Sequence, residues 1–283
     1  MARRGGWRRR IVLLLALAMV AGAIYTAVGF LQRSETLITE RCTAVGAGGE
    51  DLATDQAANA ALISAVAVRR GLPARAASIA LATSMQESKL RNIGHGDQAG
   101  PDSRGLFQQR PSQGWGTEAQ VMDPYHATNA FYDALEKVPG YQAIPITEAA
   151  QRVQRSAYPG AYAQHEPMAR AFASALTGQT AQGVDCSLRK PEAAGDAGLV
   201  RQRLTAAFGA LPATAAGRTV TVQAQDTRAW AVAQWAVANA KALSITEVRV
   251  DGQHWSRLSR DGWQAADVPA GQVSITVAGK PAP

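Results

Sequence analysis

The feature that most constrains this chain is an uncharged, apolar run from Ile11 to Leu31, directly after a basic N-terminal tail. At about 1.5 Å per residue, a helix of that length spans roughly the 30 Å hydrocarbon layer of a membrane. The tail contains five arginines, and no acidic residue precedes Glu35. Arginines on this side of a span favour a cytoplasmic N-terminus. We therefore predict a cytoplasmic tail at 1–10, a transmembrane signal anchor at 11–31 and a spacer at 32–41.

A cleaved signal peptide is the alternative interpretation of the same run. Ala21, Gly22 and Ala23 have the small side chains and the spacing of a cleavage site. Because Ile24–Leu31 stays apolar beyond that point, an anchor fits the pattern better. Both interpretations place the rest of the chain outside the cytoplasm, and the anchor makes it a single-pass protein of the cell membrane. One span cannot line a pore by itself, which argues against a transporter.

The charge of the chain does not indicate a nucleic-acid partner. The formal net charge is +7, but five of the 29 basic residues belong to the tail. Beyond residue 31, 24 basic residues face 22 acidic ones, a net charge of only +2. The basic excess is therefore a topology signal, and no nucleic acid is expected as a partner.

Two cysteines, Cys42 and Cys186, are separated by 144 positions and match no metal-binding spacing. Outside the cytoplasm such a pair is typically a disulfide, and two unpaired apolar side chains are the alternative. The four histidines are scattered along the sequence. No metal site and no cofactor is expected.

The chain after the spacer is expected to be mainly α. We predict a helical domain at 42–188, a linker at 189–195 and a small α+β domain of unreadable role at 196–283. Helical patterns cover 57–69, the segment after Pro73, 123–137, 147–156 and 167–177, and later 199–208 and 227–242. Strand patterns cover 219–223, 245–250, 253–257 and 273–277, with Asp251-Gly252 as a hairpin turn.

Glu87 is the residue whose position most suggests chemistry. A helix turns by about 100° per residue, so Glu87 points in nearly the same direction as Ala76 and Ala80, on a face of small residues. A carboxyl group at the inner end of such a face is partly desolvated, which raises its pKa. A general acid needs a raised pKa to hold its proton near neutral pH. The alternative is a solvated glutamate, which is common at helix ends.

The segments Gln86-Glu87-Ser88 and Gly105-Leu106-Phe107-Gln108-Gln109 resemble the motif pair of the soluble lytic transglycosylases of the lysozyme-like superfamily. The resemblance covers about residues 50–180, and 109–117 resembles a variant from actinobacterial surface proteins. It implies a lysozyme-like helical domain that acts on peptidoglycan glycan strands. It also implies that Glu87 protonates the glycosidic oxygen between N-acetylmuramic acid and N-acetylglucosamine. Phe107 occupies the position of a methionine in the family's cleft-lining segment.

A third family motif, Ala-Tyr-Asn-Ala-Gly, has a partial counterpart at Ala157-Tyr158-Pro159-Gly160. Substrate contacts are therefore expected from Gln108, Gln109, Phe107, Trp115 and Tyr158. Four of them have a structural alternative: Gln108 and Gln109 holding the loop, and Trp115 and Tyr158 serving as core residues. Asp97 and Asp102 are the nearby candidates for a second carboxylate, or are turn residues.

The expected reaction is proton donation by Glu87 to the leaving oxygen, followed by its action as a base. Activation of the muramyl 6-hydroxyl gives a 1,6-anhydro product, whereas activation of water gives hydrolysis. The main alternative is a non-catalytic peptidoglycan-binding or scaffold protein. The incomplete Tyr158 motif favours that alternative, and pairing of Arg104 or Arg110 with Glu87 would strengthen it.

Overall fold

The N-terminal unit, Met1–Thr39, is built around one long helix, α1 (Arg4–Arg33). This computed structural model describes residues 4–33, 38–46, 48, 50–98, 100–155 and 160–280. The segment Arg10–Val28 of α1 has a mean hydropathy of 2.5, and its side chains are exposed. The helix is thus long and apolar enough to cross a membrane, as predicted, although a signal sequence would satisfy the same criterion.

The second unit, Glu40–Pro283, begins with a three-stranded antiparallel sheet in the order β2–β1–β3. The strands are β1 (Arg41–Ala44), β2 (Asp51–Ala53) and β3 (Val184–Ser187). The register places Cys42 directly opposite Cys186. Their Cα atoms lie 4.0 Å apart and their sulfur atoms are bonded, so the predicted cysteine pair is confirmed. A disulfide is typical of an oxidising compartment.

Among the described residues, six α-helices lie between β2 and β3. They are α2 (Thr54–Arg69), α3 (Ala74–Ser88), α4 (Glu118–Met122), α5 (Pro124–Leu135), α6 (Ile146–Gln154) and α7 (Glu166–Leu176). Helix α3 packs against α7, α2 and α6. Its middle is buried on all sides, which its many alanine and serine residues allow because small side chains let neighbouring helices approach closely. Helix α3 is therefore the central helix of this part of the unit.

The chain ends in a six-stranded antiparallel sheet with two helices. The helices are α8 (Ala197–Phe208) and α9 (Asp226–Ala238), and the strands are β4 (Ala213–Ala216), β5 (Thr219–Gln223), β6 (Ile245–Val250), β7 (Gln253–Ser256), β8 (Trp263–Ala265) and β9 (Gln272–Val277). The strand order is β4–β5–β9–β6–β7–β8. Alternate residues of β5 and β9 are buried, as expected for a sheet with one covered face. Helix α9 packs against β6 and β9 and also against α2 and α7.

The prediction that the protein is mainly α is wrong. About 46% of the chain is helical and 17% is strand, in two antiparallel sheets of three and six strands. The strands β1, β2 and β3 have only three or four residues, too few to show an alternating pattern in the sequence. Strand β4 has the sequence Ala-Thr-Ala-Ala, and alanine is depleted in strands, so the sequence pattern predicted no strand there. The chain is thus a mixed α and β protein.

The helices and the large sheet contribute to one continuous cluster of buried apolar side chains. Gln234 of α9 is fully buried and connects this helix to α7 and β3. Its amide nitrogen donates to the carbonyl of Ala175 at 2.6 Å, and its side-chain oxygen accepts from the backbone N–H of Val184 at 2.8 Å. The linker predicted at 189–195 lies between β3 and α8 in the sequence. Its role as a boundary between domains stays a prediction.

Candidate active site

Glu87 lies in the last turn of α3, after the buried residues Ala76, Ala80 and Thr83. Its side chain is half-buried. The hydroxyl of Tyr162 donates a 2.8 Å hydrogen bond to Oε1 of Glu87, and Tyr162 is itself fully buried. Since the donor is held by packing, it fixes the orientation of the carboxyl group.

The backbone that ends α3 adopts a left-handed conformation at two non-glycine residues, Lys89 (φ 56°) and Leu90 (φ 55°). Such residues are uncommon and persist when their surroundings hold them. Here α2 holds them: the amide of Gln56 donates to the carbonyl of Lys89 at 2.8 Å, and that of Asn59 to the carbonyl of Leu90 at 2.7 Å. The end of α3, and with it Glu87, is therefore fixed by side chains of a neighbouring helix.

Two serines of α3 fasten the Gly105–Gln109 loop beside Glu87. The hydroxyl groups of Ser84 and Ser88 both donate to the carbonyl oxygen of Leu106, at 2.9 and 2.7 Å. Gly105 has φ 78°, and a Cβ atom there would lie 2.2 Å from the carbonyl oxygen of Val121. Only glycine fits at this position. The serine that follows Glu87 in sequence thus positions the loop that the second motif forms.

Gln154, the last residue of α6, connects the loop to the carboxyl group. Its amide nitrogen donates to the carbonyl of Phe107 at 2.7 Å, and its side chain also hydrogen-bonds Glu87. Together with Tyr162 it provides Glu87 with two neutral hydrogen-bonding partners. The carboxyl group is therefore held at the meeting point of α3, α6 and the loop.

The pKa of Glu87 is raised above its usual value. Burial is the main cause, and the negative charge of Asp97 adds to it, while the hydrogen bonds from Tyr162 and Gln154 oppose the rise. Neither arginine that we considered neutralises this carboxyl group. Arg104 lies 3.6 Å from Glu118, and Arg110 lies 2.8 Å from Asp102. Glu87 is thus a half-buried carboxyl group that keeps its proton to a higher pH than a solvated glutamate.

Glu87 lies in a cleft of about 1150 Å³. The polar and aromatic residues that line it are Gln86, Glu87, Asp97, Ser103, Gln108, Gln109, Arg110, Gln113, Trp115, Lys137, Arg152, Gln154 and Arg155. A cleft of this size is large enough for a ligand of several sugar units.

A smaller cavity of about 490 Å³ lies next to the large sheet, and Asp226 and Asp251 are among the residues that line it.

Three of the predicted substrate-contacting residues, Gln108, Gln109 and Trp115, line the cleft. Gln108 adopts φ 48°, and its amide nitrogen lies 3.3 Å from the carbonyl oxygen of Gly105. Gln109 is almost fully buried, donates to the carbonyl of Ala127 at 3.0 Å, and has a side-chain oxygen without a partner among the described residues. The ring of Trp115 is half-buried at the cleft wall.

Phe107 and Tyr158 differ from the other predicted contacts. The ring of Phe107 is fully buried and stacks on that of Phe131, with centroids 4.6 Å apart. This placement makes the Phe107 ring part of the core, and only its carbonyl group reaches Gln154. Tyr158 lies outside the described residues.

The two candidate second carboxylates occupy different surroundings. Asp97 is exposed, lines the cleft and acts on the pKa of Glu87 through its charge. Asp102 accepts hydrogen bonds from Ser112, through its side chain and its backbone N–H, and from Arg110, and these hold the pKa of Asp102 well below its usual range. It therefore fastens the loop and is not part of the cleft wall. Of the two, only Asp97 is placed to act together with Glu87.

Two residues of the site, Tyr162 and Gln154, were missed in the sequence. A signal for Tyr162 was present, because the dipeptide Ala-Tyr occurs twice, at Ala157-Tyr158 and at Ala161-Tyr162. We chose the first copy since a glycine follows it two positions later. For Gln154, we found no sequence signal.

Within the described part of the chain, no group of three or more histidine, cysteine, aspartate or glutamate side chains could hold a metal ion.

No protein-family model matches this chain, and no curated protein matches it significantly in sequence. The motif resemblance therefore stays a prediction, and the geometry of the cleft has to support any assignment of function.

Proposed function

We propose that this protein cleaves peptidoglycan glycan strands at the bond between N-acetylmuramic acid and N-acetylglucosamine, with Glu87 as the single general acid and base. The observation that carries the proposal is a half-buried carboxyl group with a raised pKa in a large cleft, oriented by the neutral partners Tyr162 and Gln154. A cationic partner would have kept Glu87 ionised and unable to donate a proton. The order of the two motifs around Glu87 supports the same assignment.

In the first step Glu87 donates its proton to the leaving glycosidic oxygen. The resulting carboxylate is then the base that accepts a proton from the attacking group. If that group is the muramyl 6-hydroxyl, the product carries a 1,6-anhydro ring; if it is water, the product has a reducing end. The hydrogen bonds from Tyr162 and Gln154 stabilise the carboxylate between the two steps. Asp97, through its charge, makes Glu87 a weaker acid before the first step.

The test is digestion of purified peptidoglycan with mass analysis of the released fragments. We expect anhydro or reducing ends from the wild type and their loss in Glu87→Gln. General acid catalysis contributes about 10²- to 10⁴-fold, so the loss lies well outside assay error. The matched control is Glu50→Gln, which removes an exposed carboxylate away from the cleft and should leave cleavage unchanged.

Asp97→Asn separates the single-glutamate mechanism from one that uses two carboxylates. If Asp97 acts only through its charge, the variant lowers the pKa of Glu87 and keeps most of the activity. If Asp97 is a nucleophile or base, cleavage is lost as completely as in Glu87→Gln. A wild type that binds peptidoglycan and releases no fragment would refute the catalytic proposal and favour the scaffold function.

The proposal places the protein in the cell membrane, anchored through residues 11–31, with the cleft outside the cytoplasm. The apolar segment of α1 and the disulfide support this location, and the arginines before the span support the orientation. Protease added to intact spheroplasts should remove everything after α1. A soluble mature protein that begins at Ile24 would instead identify a cleaved signal peptide.

A further inference from the structure

The cleft lining carries more positive than negative charge. Its basic residues are Arg110, Lys137, Arg152 and Arg155, and its acidic residues are Glu87 and Asp97. The chain beyond residue 31 has nearly equal numbers of the two, 24 basic and 22 acidic. The net charge of the cleft lining is thus as large as the net charge of the whole chain beyond residue 31. Because the raised pKa keeps Glu87 protonated to a higher pH, the lining is more positive still below that pKa.

Two of these four cations are neutralised within the protein. Arg110 pairs with Asp102, and Arg152 pairs with Glu148 one turn earlier in α6. Lys137 and Arg155 are exposed, and the ion pairs among the described residues include neither of them. Their charges are available to a ligand in the cleft.

Both free cations stand on backbone that is held in place. Lys137 precedes Val138, and Arg155 follows two residues after Val153; both valines are buried in the core. Arg155 ends α6 in a left-handed conformation with φ 52°, directly after Gln154, which hydrogen-bonds Glu87. In sequence, Arg155 therefore directly follows a hydrogen-bonding partner of Glu87. We call Lys137 and Arg155 the cationic flank.

We propose that the cationic flank binds carboxylate groups carried by the glycan strand, so that the protein selects muramic-acid-containing strands over neutral ones. The inference rests on the proposed function and assigns the residues that recognise the charge of its substrate. A strand of N-acetylglucosamine alone carries no charge. N-acetylmuramic acid carries a lactyl group, whose carboxyl group is either free or extended by a peptide stem with carboxylates of its own. Carboxylates are the partners that arginine and lysine bind with charge-assisted hydrogen bonds.

The experiment measures binding without cleavage, in the full chain carrying Glu87→Gln. Three ligands separate the sources of charge: a chitin hexasaccharide, glycan strands stripped of peptides, and glycan strands with intact stems. Dissociation constants are compared for Lys137→Gln/Arg155→Gln and for the matched control Arg201→Gln/Arg228→Gln, which removes two exposed cations of α8 and α9. The conservative exchange Lys137→Arg/Arg155→Lys keeps the charge.

An exposed charge pair contributes a factor of about two to five, so removing both flank cations should weaken binding of charged strands about four- to twenty-fivefold. Binding of the hexasaccharide should not change, and both the control and the conservative exchange should bind like the parent. The preference for charged strands should also shrink with added salt, since surface charges are screened over about 8 Å at physiological ionic strength.

A preference already present with peptide-free strands identifies the lactyl carboxylate as the ligand, and one that requires stems identifies the peptide carboxylates. Either result supports the inference. An equal loss for the hexasaccharide, or no loss for any ligand, overturns it. Cleavage by the wild type without charge preference removes only this inference, whereas charge-selective binding without cleavage removes only the catalytic proposal.

Discussion

Two glutamates of the same unit, Glu40 and Glu87, are both partly or largely buried and have opposite proton affinities. The side chain of Glu40 is 11% exposed and accepts hydrogen bonds from Lys241 at 2.7 Å and from Arg189 at 3.1 Å. Burial would raise the pKa of Glu40, but these cationic partners outweigh burial and lower it. Glu87 has neutral partners, and its pKa is raised.

The difference shows that the partner, more than the burial, decides what a carboxyl group can do. At Glu40 the charges fasten the beginning of the unit to Arg189, after β3, and to Lys241, after α9, which is a structural role. At Glu87 no cation among the described residues pairs with the carboxyl group, so the proton is available for chemistry. Buried carboxylates without a counter-charge are costly to stability, and such a cost is typical of functional sites. Three changes test this comparison.

Glu40→Gln should have the largest effect on stability, a loss of about 1–2 kcal/mol at neutral pH, because it removes charge-assisted hydrogen bonds whose cationic partners are partly exposed. The pKa of Glu40 is lowered by folding, so its contribution is present above the unfolded value and is lost as the pH falls through the folded one. Urea unfolding at several pH values measures the loss.

The matched control for Glu40 is Asp51→Asn, which breaks the exposed pair with Arg41 and should cost less than about 0.5 kcal/mol. An equal loss in both variants would show that the Glu40 cluster has no special role in stability.

Tyr162→Phe should move the pH profile of cleavage. The hydrogen bond from Tyr162 lowers the pKa of Glu87, so its removal raises that pKa further and shifts the alkaline limb of kcat/KM to higher pH. The expected cost in stability is about 1 kcal/mol. Tyr132→Phe is the control, because its buried hydroxyl donates to the carbonyl of Ile63 at 3.0 Å and does not contact Glu87. An equal shift of the alkaline limb of kcat/KM in Tyr162→Phe and Tyr132→Phe would refute the role of Tyr162 in lowering the pKa of Glu87.

Glu87→Gln should stabilise the protein at neutral pH, the smallest of the three effects and the opposite of that at Glu40. Folding raises the pKa of Glu87, so the folded state holds the proton more tightly, and stability is lost as the pH rises through the folded pKa. The variant cannot ionise, so its advantage over the wild type should grow from acidic to neutral pH. A constant difference in the free energy of unfolding would contradict the raised pKa.

The sequence predicted most helices and the longer strands because their periodicity extends over enough residues. It also placed Glu87 on the inner face of α3, since that placement follows from helix geometry alone. The strands β1 and β3 depend on pairing between residues 140 to 146 positions apart, which the local sequence pattern does not reveal. Tyr162 and Gln154 reach Glu87 only through tertiary packing, which the sequence pattern does not reveal. The sequence therefore pointed to a nearby tyrosine, Tyr158, as the site residue.

The Cys42–Cys186 bond closes the chain between these residues into a covalent ring. All cleft-lining residues, from Gln86 to Arg155, lie inside the ring, and so does Tyr162. A protease that cuts once in the exposed part of the 92–116 loop would therefore release no fragment, and α3 and α7 would stay in one molecule. Reassembly of a nicked protein would remain a unimolecular reaction, independent of concentration, for as long as the bond is oxidised.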